Sequence, residues 1–437
     1  MRDLKLKANT ILSYMQEQGA EQAACKVKQS VTREINYLNG KFSLLRTLED
    51  EGAVLEIIQD KRYASLAGNR LDDAELQNLA DDCFKGLASA DPDEARRFVP
   101  AEEAKQKEKT SGILEADNEA MFRLLQEFID DIAGKYPSLV ISELYLEHDY
   151  EESYEAFSSG ARFHEKEGSY QVVLNCSSVV ADQSSSFFYI GLLTEDITTP
   201  LIEREPFKSD LKLIAEQYQA EALDKSFTGS LVLTPACVDE MLYYLAANFT
   251  GDLALLTNSS PWRDRLGEQV TDARLNLRVA PLDERFIGGS LASSEGFAAE
   301  NYDLFRQGKL QCFSLSDYAA RKTGRERAKN SEQYSYYVLE AEETKPLEDL
   351  IKDIDRGIYM MRFSGGEPAG NGDFAGVIKN SFLIENGKLT RPLREVMLSS
   401  NLEKLFLQIG GYSSEHINDG SRDLPWVRFD NVEISAK

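Results

Sequence analysis

The chain has 437 residues, more than one hydrophobic core normally serves, in ordinary globular proportions of 42% hydrophobic and 28% charged side chains. Its 74 acidic and 49 basic residues leave a net charge of −25, which argues against nucleic acid and anionic membranes as partners because both repel such a surface. No apolar run approaches the about 18 residues needed to cross a bilayer, and the five cysteines, odd in number and without a C-x-x-C pair, fit reduced thiols in a cytoplasmic protein.

In chain order, the first segment predicts an amphipathic helix from the spacing of Leu4, Leu6, Ile11, Leu12 and Met15. It lacks the apolar block of a signal peptide. Short strands follow, with turns expected at Asn39-Gly40 and Glu51-Gly52, then a helix over 72–87 that Asp91-Pro92 ends. The polar stretch from Pro100 to Gly112 reads as an exposed connection. "NEAMFRLLQEFIDDIAGKYP" predicts a second amphipathic helix, and alternation over 139–193 predicts an antiparallel meander. A polar helix over 209–223 then leads to "GSLVLTP", a buried strand. Together these elements predict an α+β fold of two domains, 1–224 and 225–437, with mainly antiparallel sheets flanked by helices.

Near the C-terminus, "SGGEPAGNGDFAG" puts five glycines into thirteen residues, Ser364 to Gly376. A dinucleotide loop would need a helix after it to hold the pyrophosphate. Here β-prone residues follow instead, ending at Glu385-Asn386-Gly387-Lys388, a hairpin signal. The remaining readings are a surface loop, or a bare backbone that lets another chain approach closely along a sheet edge.

The catalytic inventory is thin. His148, His164 and His416 are too far apart to grip a metal from one helix, and no Gly-x-Ser-x-Gly elbow is present. His164 reads as an exposed strand residue and His148 as a charge-paired surface residue. Cys312 has no histidine placed beside it in the sequence.

Several motifs together resemble the TldD/PmbA family, also known as proposed modulators of DNA gyrase. Gly372-Asp373-Phe374-Ala375, then Phe382-Leu383-Ile384-Glu385-Asn386-Gly387 and Pro392, is similar to the family's Gly-Asp-aromatic run and its Glu-Asn-Gly turn. "SDYAARKTG" (316–324), "SSPWRDRLGEQV" (259–270), "EGFAAENYDLFRQGKLQCFSLSDY" and the early "GKFSLLRTLEDEGAVLEIIQDKRYASLAGNRLDD" add to the likeness. This chain departs from the pattern at Ser381, where the family has glycine, at Phe374 in place of tyrosine, and by one extra residue in the run.

That resemblance implies two possible branches. The TldD branch carries His-Glu-x-x-x-His on a helix, with a later cysteine as a further metal ligand. The PmbA branch, also called TldE, lacks both and pairs with the first in a heteromeric enzyme acting on peptides or flexible protein segments. Here the corresponding window, Met241 to Asn248, has no histidine and no acid, and the last cysteine is Cys312. The expectation is therefore a PmbA/TldE-like, non-catalytic subunit of a TldD/PmbA-type metallopeptidase in peptide maturation or proteolysis of flexible segments. The alternative is a homodimeric interaction protein without peptidase activity. No catalytic or metal residue and no cofactor is expected in this chain, with zinc only in a His-Glu-x-x-x-His-bearing partner. The partners implied are that paralogue or a second copy of the chain, and a peptide. Substrate or partner contact is assigned to Gly365, Gly366, Gly370, Gly372, Asp373, Phe374 and Gly376.

Overall fold

The computed structural model describes residues 3–329 and 336–436. Among them a first sheet comprises β1 (Gln22–Leu38), β2 (Lys41–Gln59), β3 (Arg62–Gly68), β4 (Gln106–Gly112), β5 (Leu139–Phe157), β6 (Arg162–Val180), β7 (Gln183–Ser184) and β8 (Phe188–Thr194). Its order is β3-β2-β1-β5-β6-β4, with β7 and β8 also on β6. Helices α1 (Leu4–Glu17), α2 (Asp73–Leu87), α3 (Asn118–Lys135) and α4 (Phe207–Ala215) belong to the same part of the chain.

The second sheet comprises β9 (Glu221–Ala222), β10 (Phe227–Leu233), β11 (Leu277–Val279), β12 (Tyr302–Arg306), β13 (Lys309–Leu310), β14 (Tyr337–Leu339), β15 (Arg356–Met360), β16 (Arg362–Gly365), β17 (Asp373–Lys379), β18 (Ser381–Glu385), β19 (Lys388–Arg394), β20 (Val396–Asn401), β21 (Ile409–Asn418) and β22 (Asp423–Ser435). Most pairs are antiparallel, while β10–β15, β14–β22 and β9–β19 are parallel. Helices α5 (Pro235–Thr250), α6 (Asp252–Leu256), α7 (Asp317–Thr323), α8 (Leu347–Lys352) and α9 (Leu402–Phe406) accompany it. The mixed α/β architecture with antiparallel sheets is the one the sequence predicts.

Four local expectations are corrected. The early segment is not a set of short strands but one long hairpin. Asn39-Gly40 turns it with positive φ at both residues, whereas Gly52 pairs in register with Lys28 and the next turn falls at Asp60-Lys61. Glu49 and Asp50 face solvent, so they interrupt the apolar pattern without interrupting the ladder. The polar stretch after Pro100 contains β4, whose side chains alternate in exposure along the first part of β6; a polar strand carries no hydrophobic signature. The helix predicted over 209–223 is α4, which ends at Ala215. His148 is buried rather than at the surface, and its Nε2 lies 2.6 Å from the Ile113 carbonyl.

Beyond the end of β3, residues 41–52 of β2 form an unpaired edge on which Leu45 and Leu48 are 73% and 51% exposed. Within the protein, one hydrophobic cluster draws on both halves of the chain. Ile35, Phe128, Leu144, Tyr170 and Phe207 pack in it with Val232, Tyr359, Phe382, Ile384 and Trp426. Its one internal polar link is satisfied, the Trp426 indole donating to the Tyr359 hydroxyl at 2.7 Å.

Candidate functional site

β10 runs into Thr234-Pro235, and proline in the first turn starts α5 where no intrahelical partner exists for an amide anyway. The opening turns of α5 bring Cys237, Asp239 and Glu240 to a cleft of about 530 Å3 between the two sheets. One wall is β8. The other is Met361-Arg362-Phe363, where β15 passes into β16, and Asp210 of α4 and Arg422 complete the lining. Among the described strands β8 pairs only with β6 and β16 only with β17, so both walls are sheet edges, although Leu193 of β8 already donates its amide to the Asp419 carbonyl at 3.0 Å. Such edges carry unpaired backbone groups that can accept an added strand.

The cleft holds carboxyls away from water. Burial pushes Asp239 up to about 7 even though Arg422 Nε stands 2.5 Å from its Oδ1. Among the described residues Asp210 has no ion-pair partner, and it accepts from the Ser209 hydroxyl at 3.2 Å; burial pushes it up to about 7 as well. Glu240 is raised by burial too, while the Tyr244 hydroxyl, donating at 3.5 Å, and Arg362 pull it down. Carboxyls that titrate near neutral pH can exchange protons with a bound ligand.

The residues do not fit a zinc site. A catalytic zinc needs three converging N, S or O ligands and an open position. Among the described residues no group of three or more His, Cys, Asp or Glu side chains is placed to hold a metal. In the Met241–Asn248 window, Met241, Leu242, Leu245 and Ala246 are buried in the apolar core. Asp239 and Glu240 lie just before that window and went unnoticed in the sequence, because acids are too abundant in this chain for a pair to stand out.

The seven glycine-loop residues fall beside the cleft rather than in its lining. Gly365 and Gly376 are opposite each other in the β16–β17 pair, so the loop proper is only 366–372. A Cβ on Gly365 would stand 2.6 Å from Phe363 Cε1, and one on Gly376 2.4 Å from Phe363 Cζ. Phe374 is buried edge-on to the same Phe363 ring, with centroids 5.7 Å apart. Gly372 has φ +86° and packs on Phe249. Asp373 accepts from Asn401 and Asn371 at 2.9 and 2.8 Å, bonds that hold its pKa below the usual range. Gly366 borders open space and Gly370 only touches Ser259. Phe363 links this hairpin to the cleft, since it lines the cleft while packing on three of the seven.

Residues 227–436 match the family model of the PmbA/TldA metallopeptidase C-terminal domain. A PmbA homologue of Buchnera aphidicola described as a metalloprotease is 28% identical over 164 residues, 37% of this chain and 36% of that one. The chain spans only about a third of the length of the curated relatives it matches first. Among solved structures, TldE of Thermococcus kodakarensis superposes with a TM-score of 0.86 at 19% identity, covering 98% of this chain and 99% of the other. A candidate modulator of DNA gyrase from Bacteroides thetaiotaomicron superposes with a TM-score of 0.87 at 21% identity, covering 100% of both. Identities this low establish the fold alone. With the C-terminal domain model matched, the metalloprotease relatives aligned and the fold shared over the whole length, the chain belongs to the TldD/PmbA family.

Proposed function

We propose that this chain is the PmbA/TldE-like, non-catalytic subunit of a TldD/PmbA-type metallopeptidase, acting in peptide maturation or in proteolysis of flexible segments. The observation that carries the reading is the make-up of α5 in the cleft. Its acids are engaged by Arg422 and Tyr244, its next turns are apolar, and among the described residues no zinc ligand set accompanies it. The chain's contribution is to bind: β16 and β8 offer strand edges for an extended peptide, and zinc belongs to a paralogue bearing His-Glu-x-x-x-His. The five unpaired thiols suit a reducing compartment, so we place the protein in the cytoplasm.

Reconstitution tests this. The purified chain alone is expected to carry substoichiometric zinc and to cleave no peptide, and to support chelator-sensitive cleavage once mixed with the paralogue. Stoichiometric zinc with chelator-sensitive cleavage by this chain in isolation overturns the reading. A second reading, a homodimer without peptidase activity, draws on the unpaired β2 edge with its exposed leucines. Sedimentation of the chain alone and with the paralogue separates the two.

A further inference from the structure

The β16–β17 pair places Arg362 directly opposite Lys379. Like charges opposed across strands are destabilising, and cations such as Arg97, Arg285, Arg391 and Arg428 are each neutralised by a carboxylate at ion-pair distance. These two are not: neither forms an ion pair or side-chain hydrogen bond among the described residues. Both instead lie over the ring of Phe187, the Arg362 guanidinium carbon at 4.5 Å from its centroid and the Lys379 ammonium at 6.0 Å. Phe187 is 54% exposed, and its segment is tied to the strands by Asn380, whose amide donates to the Ser186 carbonyl. Two unneutralised cations are thus held on an aromatic platform at the end of an unpaired strand edge. Arg362 lines the cleft on one side, and Lys379 lines a second, polar hollow on the other.

Such a pair is matched by an anion, and a planar guanidinium beside an ammonium suits a carboxylate. The strand direction adds a constraint. A peptide added antiparallel to β16, which runs from Arg362 to Gly365, finishes with its C-terminal end beside Arg362. Glu240 of α5 is the acid that faces Arg362 from beyond ion-pair distance. Burial raises its pKa, which lessens its competition for the cations and its repulsion of an incoming anion. We propose that Arg362 and Lys379, stacked on Phe187, bind a carboxylate of an extended peptide lying along β16, which makes the preferred ligands peptides with a free C-terminus or an acidic residue at that position.

This rests on the peptide-binding part of the function proposed above, and calorimetry on the full chain tests it with defined probes. These are N-acetyl-Ala-Val-Thr-Ala as the free acid, the same peptide as its C-terminal amide, and the amide with glutamate in the last position. The free acid is expected to bind at least tenfold more tightly than the amide, and Arg362→Met or Lys379→Met to abolish that preference. If the glutamyl amide regains the affinity, a side-chain carboxylate serves; if it stays weak, the terminal carboxylate is the ligand. Both outcomes support the site. The unliganded variants are expected to melt no lower than the parent, since each substitution relieves a repulsion, and this separates lost binding from lost structure. Equal binding of acid and amide overturns the carboxylate site but leaves a peptide along β16. No binding of any probe overturns both. In each case reconstitution with the paralogue still tests the subunit reading independently.

Discussion

The ring of Phe363 closes over Gly376 on the facing strand, leaving 2.4 Å between its Cζ and the position a Cβ would take. Gly365 sits under the same ring, so the two glycines are spacers for an aromatic that also walls the cleft. Their bareness is explained from within the chain. Gly376→Val is therefore expected to lower stability by about 2 kcal/mol through overpacking, and Gly372→Val to do the same through its positive φ. Gly366→Val, with open space around it, is expected to leave the urea midpoint unchanged. Unchanged midpoints for the first two variants would show that Phe363 and Phe249 simply move aside.

Arg97 and Asp317 join the two halves through a two-pronged contact, Nε and Nη2 donating to the two carboxylate oxygens at 2.7 Å each. Asp317 is only 3% exposed and opens α7. Arg97→Met removes its cation and strands the charge, with an expected loss of about 3 kcal/mol in urea unfolding. A loss below about 1 kcal/mol would place the pair with ordinary surface bridges.

The Asp210 carboxyl binds its proton more tightly in the folded chain, at about 7, than an unfolded aspartate does. The folded state thus holds the extra proton between those values, and the stability this contributes is lost as pH rises towards 7 and beyond. Asp210→Asn is expected to raise the melting temperature at pH 8 and to leave it nearly unchanged at pH 4. An equal shift at both values would mean that the carboxyl does not titrate in that window.

Thiol chemistry gives a fourth check. Burial pushes Cys83 up to about 11 and Cys176, Cys237 and Cys312 up to about 12, and it raises Cys25 as well. At pH 8 the native chain is expected to resist iodoacetamide at all five positions, and to take up five equivalents once unfolded. Rapid native labelling of Cys312, the half-buried one, would point to a reactive thiol.

What the sequence showed well was local. The family-like stretch over 316–324 forms α7, where Ser316 accepts from the Ala319 amide and Gly324 closes the helix with left-handed backbone. Asn386-Gly387 turns β18 into β19 with positive φ at both residues. What it hid was non-local. Nothing in the order of residues says that Arg362 faces Lys379 or that both meet Phe187, because those relations arise only when β16, β17 and the segment before β8 converge. Likewise Asp210 and Asp239, distant in sequence, acquire raised pKa values only once folding has removed their water.

The cluster that takes Ile35, Phe128 and Phe207 from one half and Val232, Tyr359 and Trp426 from the other makes the chain hard to divide. A cut between residues 224 and 225 would leave β9 of the second sheet on the first fragment, and it would bare a seam of aromatic and aliphatic side chains on each piece. Neither piece would then be a faithful stand-in for the whole, and the fragments, if obtained together, would be drawn back to one another by that seam. Dissection of this molecule is better done by point substitution than by scissors.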